Sequence, residues 1–480
     1  MKRSHPPSLE RRRFVAGVAA LGGAAVAWRY VVTPAFAQNP PSGCPTPPSG
    51  GTPFQPGQDQ RPIVLRPSIS ALTSAQLTEL RGAYAALRAL PSSDPRTWIL
   101  QADLHALYCQ QCTNDATQIH FKWSFFPWHR AYLYYYERIL GALVGNLDGF
   151  RLPYWDWEVA RSMPSPYRTP AAASNSLWDA NRDGGIAGGG GLPSGDGDLA
   201  RVQQLYGTQD FATFGGNASS AGACENNPHG LIHDDVGEQT PTGLDMGNLG
   251  FAARDPIFFA HHGNLDKLWS HWNGLAGTSG VPATAYRNPT DPGFLNATWS
   301  FYDETSAIVS MRASDVLDHS DNLRYIYALP VLHIPIYEII RCELICCGPD
   351  PEKSATLRIP QESVDATTLA VRDRLPTSLV LHEVEIPAGA TGTFEAFAVR
   401  GERRVSLGRF AIVGESHMAM KGAHRMTLLL DATKALPDLL AREAPATLRV
   451  IGRRGAKSFP LRAKGAELRI QRSAVEAPRK

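Results

Sequence analysis

Apolar positions repeat with a helical period through the first two thirds of the chain and with a strand period in its last quarter. From Ser74 to Leu90, the residues Leu77, Leu80, Ala83, Tyr84 and Leu87 recur three and four apart, which predicts an amphipathic helix with Ser74 as N-cap. Further helices are predicted over Trp98 to Tyr108, from Pro127 through Tyr136 to about Val144, around His229, and from Asp255 to Trp272; proline is favoured in a first helical turn. From about residue 376, the runs SLVLHEVEIP, GTFEAFAV, RVSLGRFAIV, HRMTLLLD and ATLRVIG, separated by Gly, Pro and charged turns, predict the short strands of a β-sandwich. The pattern divides the chain into a mainly α core over 61–327, a linker over 328–375 that holds Cys342, Cys346 and Cys347, and a β-rich domain over 376–480. The stretch RDGGIAGGGGLPSGD, residues 182–196, predicts a flexible surface insertion.

The length of 480 residues suits two or three domains of roughly 100 to 200 residues each. Apolar residues at 43% and charged residues at 19% are near the globular norm, which argues against a disordered chain and against a multi-span membrane protein. A net charge of +2, with basic residues spread out, argues against nucleic acid as a partner. At the N-terminus, Arg11, Arg12, Arg13 and Phe14 precede a short apolar stretch ending near Ala27, and Ala35-Phe36-Ala37 stands before Gln38. This resembles a twin-arginine signal over 1–37, cleaved to leave a periplasmic or secreted protein without stable membrane insertion; the alternative is an uncleaved anchor. Residues 38–60 read as an extended arm on the surface.

Eight of the fourteen histidines fall within residues 105–129 and 229–271, and that clustering points to chemistry. His229 and His233, four apart in PHGLIH, share one face of a helix and can chelate one ion. His262 in DPIFFAHHGNLD is followed one helical turn later by Asp266, whose carboxylate is placed to accept the Nδ1 proton of a ligand histidine. His105, His120 and His129 repeat the pattern in the first window. Two three-histidine sites result, suited to copper, zinc, iron or nickel, and spacing alone does not choose among them.

The ordered motifs FPWHR, PYWDW, ENNPHG, DMGN and RDPIFFAHHGNLDKLW resemble the tyrosinase and catechol oxidase family, and most of all its plant-type polyphenol oxidases. The resemblance covers nearly all of residues 60–330, and the β-rich tail resembles the C-terminal domain of that subgroup. It implies a four-helix bundle holding two copper ions, one on His105, His120 and His129 and the other on His229, His233 and His262, with dioxygen as co-substrate. His261 matches a non-ligand position, and His271 reads as structural. The implied activity is oxidation of small phenolic o-diphenols to o-quinones, together with ortho-hydroxylation of monophenols. Rival readings are an o-aminophenol oxidase with the same site and an oxygen carrier of haemocyanin type.

By the same resemblance Glu225 assists deprotonation of the phenol, and Cys109 forms a thioether with His120; a free thiol and a disulfide to Cys112 are the alternatives for Cys109. The chain departs from the family at Ala106, where a cysteine is usual, so a Cys44 to Cys112 disulfide is only one possible connectivity among the seven cysteines. It departs again at Gly230, where strong monophenolases carry asparagine. With Leu249 and Asp234, Gly230 forms the expected substrate entrance, open and suited to bulky or amine-bearing phenols. Arg61, Tyr325 and Tyr327 resemble the arginine and tyrosine motif that ties the two ends of the core. In the family the C-terminal domain can cover the site and keep it latent.

Overall fold

The computed structural model describes residues 48–109, 118–237, 246–277, 284–328, 332–345, 355–413, 424–441, 445–453 and 456–477. The expected signal over 1–37, the first part of the arm (38–47), and Cys44, Cys112, Cys346 and Cys347 lie outside the described residues.

The core is built on helices α1 (Ser74–Ala89), α2 (Trp98–Cys109), α3 (Phe125–Leu143), α4 (Leu231–Val236) and α5 (Ile257–Gly274). Helix α1 buries Leu80, Ala83, Tyr84 and Leu87, the stripe that its period predicts. Its cap is Thr73, one residue before the expected Ser74: Thr73 Oγ1 accepts from the Gln76 N–H at 3.2 Å, and Gln76 Oε1 accepts from the Thr73 N–H at 3.0 Å. Helices α3 and α5 are buried on nearly every face, so they form the middle of the bundle, and α3 opens at Phe125 rather than Pro127. No helix among the described residues is long and apolar enough to cross a membrane.

The two ends of the core meet where Val64–Leu65 pairs in parallel with Tyr325–Ile326. The arginine of this tie is Arg66, not the expected Arg61. The Arg66 guanidinium lies 3.5 Å from the centre of the Tyr325 ring and donates to Tyr327 Oη at 3.1 Å, to Glu137 Oε2 at 2.9 Å and to Asp266 Oδ2 at 3.1 Å. Arg61 instead binds Asp59 and the Leu147 carbonyl, and contributes its own carbonyl to Arg324 Nε.

The tail forms one antiparallel sheet of eight strands: β1 (Leu332–Ile345), β2 (Ala355–Arg358), β3 (Thr377–Ile386), β4 (Gly392–Arg400), β5 (Arg403–Ile412), β6 (His424–Asp431), β7 (Thr447–Gly452) and β8 (Gly465–Ala477). Their order is β5-β4-β7-β2-β1-β8-β3-β6. Both halves contribute to one apolar core, with Phe394, Phe410 and Leu448 from one and Leu379, Leu428 and Leu468 from the other. The stretch 328–375, expected as a linker, supplies strands β1 and β2 and the helix Val364–Arg372. Cys342 and Cys224 form no disulfide among the described residues.

The glycine-rich insertion is pinned rather than loose. Arg182 is buried and paired with Asp255 at 2.5 and 2.7 Å, Asp183 caps the short helix Gly184–Ala187, and Leu192 and Asp196 are buried.

Candidate metal centre

The six expected ligands converge. His105 comes from the middle of α2, His120 from the turn before α3, and His129 from the first turns of α3. Their ring centroids lie 5.4, 5.5 and 5.2 Å apart. His229 ends the irregular turn Glu225–Gly230, His233 lies on α4 and His262 on α5, with centroids 4.6, 5.1 and 5.4 Å apart. The two triads touch: His129 stacks on His262 at 4.3 Å, and His120 on His229 at 5.6 Å.

Four of the six rings are oriented by backbone carbonyls. His105 Nδ1 lies 3.0 Å from Leu249 O, His129 Nδ1 2.7 Å from Phe125 O, His229 Nδ1 2.9 Å from Glu225 O, and His233 Nδ1 2.7 Å from Met246 O. A carbonyl only accepts, so each Nδ1 carries the proton and each Nε2 keeps a lone pair for a metal. The Nε2 atoms of His105, His120, His129 and His229 are buried without a protein partner. Burial holds all six imidazoles neutral, with His129 pushed down to about 3 and His233 to about 4. Six neutral imidazoles, four of them pre-oriented and four with an unsatisfied Nε2, fit a pair of borderline-soft ions such as copper.

Asp266 does not take the role that its spacing suggests. It accepts from Arg130 Nε at 2.5 Å, from Arg66, and from the hydroxyls of Tyr325 and Tyr327 at 2.6 and 2.7 Å. Burial alone would raise this carboxyl, but Arg130 and Arg66 outweigh it and hold it at about 2. One turn beyond His262, the carboxylate faces the tie between the ends of the core rather than an imidazole. His261 stands beside the second triad, stacked on His229 at 5.7 Å, so space alone does not exclude it from metal. His271 is structural, with Nε2 3.1 Å from Ala328 O. Cys109 Sγ lies 3.5 Å from His105 Nδ1, and its sulfur and the ligand atoms of His105 and His120 fall within 4.8 Å of one another.

Glu225 is buried against the centre. Its Oε1 accepts from the Phe121 N–H at 2.7 Å, and burial pushes the carboxyl up to about 8 against the opposing pull of that bond. A small cavity in front of the centre is lined by His120, Phe121, Glu225, Asn226, His229 and Leu249 from the core, and by Ala411, Val413 and Met426 from the tail. It offers about 10 Å³ to the centre of a water-sized sphere, the room of one water.

The tail therefore sits where an open entrance was expected. A Cβ on Gly230 would lie 2.7 Å from Val413 Cγ2 and 3.1 Å from Ala411 Cβ. Asp234 is buried and accepts from Thr393 Oγ1 at 2.8 Å, so it faces the tail rather than an incoming amine. Leu249 is buried and gives its carbonyl to His105. Arg409 of β5 pairs with Asp196 and Asp235, and β6 bonds to the core through Thr427 N–H to Ala221 O at 2.9 Å and Asn226 Nδ2 to Thr427 O at 2.8 Å.

Sequence reasoning missed Phe121, Asn226 and the three tail residues. The tail left one signal: Phe410, Ala411, Ile412 and Val413 are apolar on both faces, and all are buried. A strand that is apolar on both sides has a second partner to cover.

The chain matches the common central domain of tyrosinase over residues 95–185 and 193–275 and the polyphenol oxidase middle domain over 288–335. It is 35% identical over 299 residues to the latent-form chloroplastic polyphenol oxidase of Prunus armeniaca, covering 55% of this chain and 48% of the relative. It spans about half the length of the curated relatives it matches first. A polyphenol oxidase structure from Grenache (Vitis vinifera) is 31% identical, with a TM-score of 0.53 and coverage of 61% of this chain and 93% of that one. The latent apple tyrosinase structure, 22% identical, shares the fold across both parts, with a TM-score of 0.61 over 89% of this chain and all of that one.

These relatives correct the expected address. Those from Prunus armeniaca, Vitis vinifera, Ipomoea batatas and Malus domestica are chloroplastic by name, a finding that speaks against the expected twin-arginine route to the periplasm. With its two histidine triads, matched central and middle domains and antiparallel tail, the chain belongs to the tyrosinase and polyphenol oxidase family.

Proposed function

We propose that the chain is a copper-dependent polyphenol oxidase that uses dioxygen to turn o-diphenols into o-quinones, with ortho-hydroxylation of monophenols as its weaker activity. The observation that carries this reading is the pair of buried, neutral imidazole triads in contact with each other. Copper held by His105, His120 and His129 and by His229, His233 and His262 supplies electron transfer in pairs between phenol and dioxygen.

The protein's own part is to hold the imidazoles, exclude water and manage the phenol proton. Phenols ionise near pH 10, and Glu225, raised towards that range by burial, is a better-matched proton acceptor than an ordinary carboxylate. Gly230 has no side chain with which to orient a water beside Glu225, and this weakens hydroxylation relative to diphenol oxidation. Ala411, Val413 and Met426 leave no room for a phenol, so the docked tail keeps the intact chain latent.

Oxygen uptake by the copper-loaded full chain with catechol, tyramine and o-aminophenol tests this. Catechol should be consumed only slowly by the intact chain, and Val413→Gly, which opens the mouth, should release quinone faster. Glu225→Gln should lower monophenol turnover about tenfold more than o-diphenol turnover, within the usual range for a general base; equal losses would remove that role. Turnover of o-aminophenol alone would favour that rival, and reversible oxygenation without turnover would favour a carrier.

We also propose a thioether between Cys109 and His120, supported by the sulfur's place among the ligands. The thiol and a ring carbon each give up one hydrogen, and dioxygen takes the two electrons and two protons. A peptide joining residues 109 and 120, two hydrogens lighter than the sum of its parts, is the expected mass. Recovery of both peptides unlinked from copper-loaded protein would rule the bond out.

A further inference from the structure

Phe121 combines four properties. It follows the ligand His120 directly, and it adopts φ 62°. An aromatic side chain disfavours that left-handed region, because Cβ crowds the neighbouring carbonyl. Its N–H is the donor that holds Glu225 Oε1. Its ring is buried in the apolar core of the tail, in the same cluster as Met426 and Leu428, and 4.9 Å from the ring of His424.

The neighbouring amides do not share this arrangement. The N–H groups of Ile119 and His120 are both taken by Gln118 Oε1, at 2.9 and 3.0 Å, and the Ile119 N–H also donates to Tyr108 O at 3.2 Å. Of residues 119–121, it is Phe121 whose N–H reaches across to Glu225 and whose ring packs in the apolar cluster of the tail. A residue in a disfavoured conformation needs its surroundings to hold it there, and here the ring is seated among the apolar residues of the C-terminal sheet.

We propose that Phe121 is a positioning residue that makes the placement of the Glu225 carboxylate depend on docking of the C-terminal sheet. The inference rests on the readings of Glu225 as proton acceptor and of the tail as cover. With β6 docked, the ring is seated, the left-handed backbone is held, and Glu225 is drawn onto the Phe121 N–H. When the sheet leaves, the ring loses its seat, the backbone relaxes to a right-handed or extended conformation, and the N–H leaves the carboxylate. Release of the tail then changes the chemistry of the site as well as access to it.

Two substitutions separate ring from backbone in the copper-loaded full chain. Phe121→Gly and Phe121→Ala both remove the ring, but glycine adopts a positive φ freely while alanine does not. The ratio of monophenol to o-diphenol turnover should be about tenfold lower for Phe121→Ala than for Phe121→Gly, as expected for a displaced general base. Adding Glu225→Gln to both should abolish the difference, which a merely structural effect would not do. Equal ratios in the two variants, or a gap that survives Glu225→Gln, would overturn the proposal.

Hydrogen exchange resolved to single amides gives an independent readout in the wild-type chain. The Phe121 and Thr427 amides should open with the same protection, because one event releases both; unequal protection would overturn the coupling. Glu225→Gln on its own tests the underlying reading. Equal losses of both activities there would discard Glu225 as the proton acceptor, while the exchange result would still decide whether Phe121 follows the tail.

Discussion

Replacing His233 by alanine should leave one copper per chain in place of two and lower catechol oxidation by at least about 1000-fold, most of what a metal site contributes to an enzymatic rate. His233 Nδ1 is fixed by Met246 O and its Nε2 lies 3.2 Å from His262 Nε2, so its loss opens the second triad. The measurement is copper content by atomic absorption alongside oxygen uptake. His271→Ala is the matched control: that imidazole is also buried, but it touches Ala328 O and not the centre, and two coppers should remain. Equal copper loss in both variants would mean that buried histidines in general, rather than these six, sustain the site.

Asp266→Asn should destabilise the core by about 3 to 5 kcal/mol, the usual cost of removing one partner from a buried ion pair. Arg66 and Arg130 would then share a buried site without their common counter-charge. The sign of the pH dependence follows from the depressed carboxyl. Its contribution is fully present above the ordinary carboxylate value near 3.8 and is lost as pH falls through about 2, so the tie should survive mild acid. Copper content at low temperature discriminates between two roles. Asp266 touches no ligand histidine, and the folded variant should bind two coppers with wild-type affinity; a carboxylate orienting a ligand would cost roughly 10- to 100-fold on removal. Thermal unfolding and copper titration of the same sample give both answers.

The two histidine clusters were legible because helical spacing and clustering of histidines are local properties, readable in PHGLIH and FPWHR without any knowledge of the fold. The strands of the tail were legible for the same reason, since alternation over eight to ten residues is written into each run. Roles that depend on long-range geometry were not. Asp266 lies one turn after His262, as a carboxylate orienting a ligand should, yet helix rotation points it at Arg66, 200 residues away in sequence. Arg61 and Arg66 stand five apart in one extended segment, and only the register of Val64–Leu65 on Tyr325–Ile326 selects Arg66 for the tie. The segment 328–375 lacked a clear period because β1 is long and paired along most of its length with β8, which follows more than a hundred residues later. The entrance was misjudged because a sequence lists the residues around a mouth without saying what lies in it.

Gly230 is thus shared property. On the proposed reading it is, from the copper side, a gap where a water-orienting side chain would stand; seen from the tail, it is the socket that receives Val413 and Ala411. The two uses compete for one Cβ position. A chain bred for stronger hydroxylation by enlarging residue 230 would have to whittle down 411 and 413 in step or give up its lid, so the repertoire of reactions and the means of silencing them are inherited together.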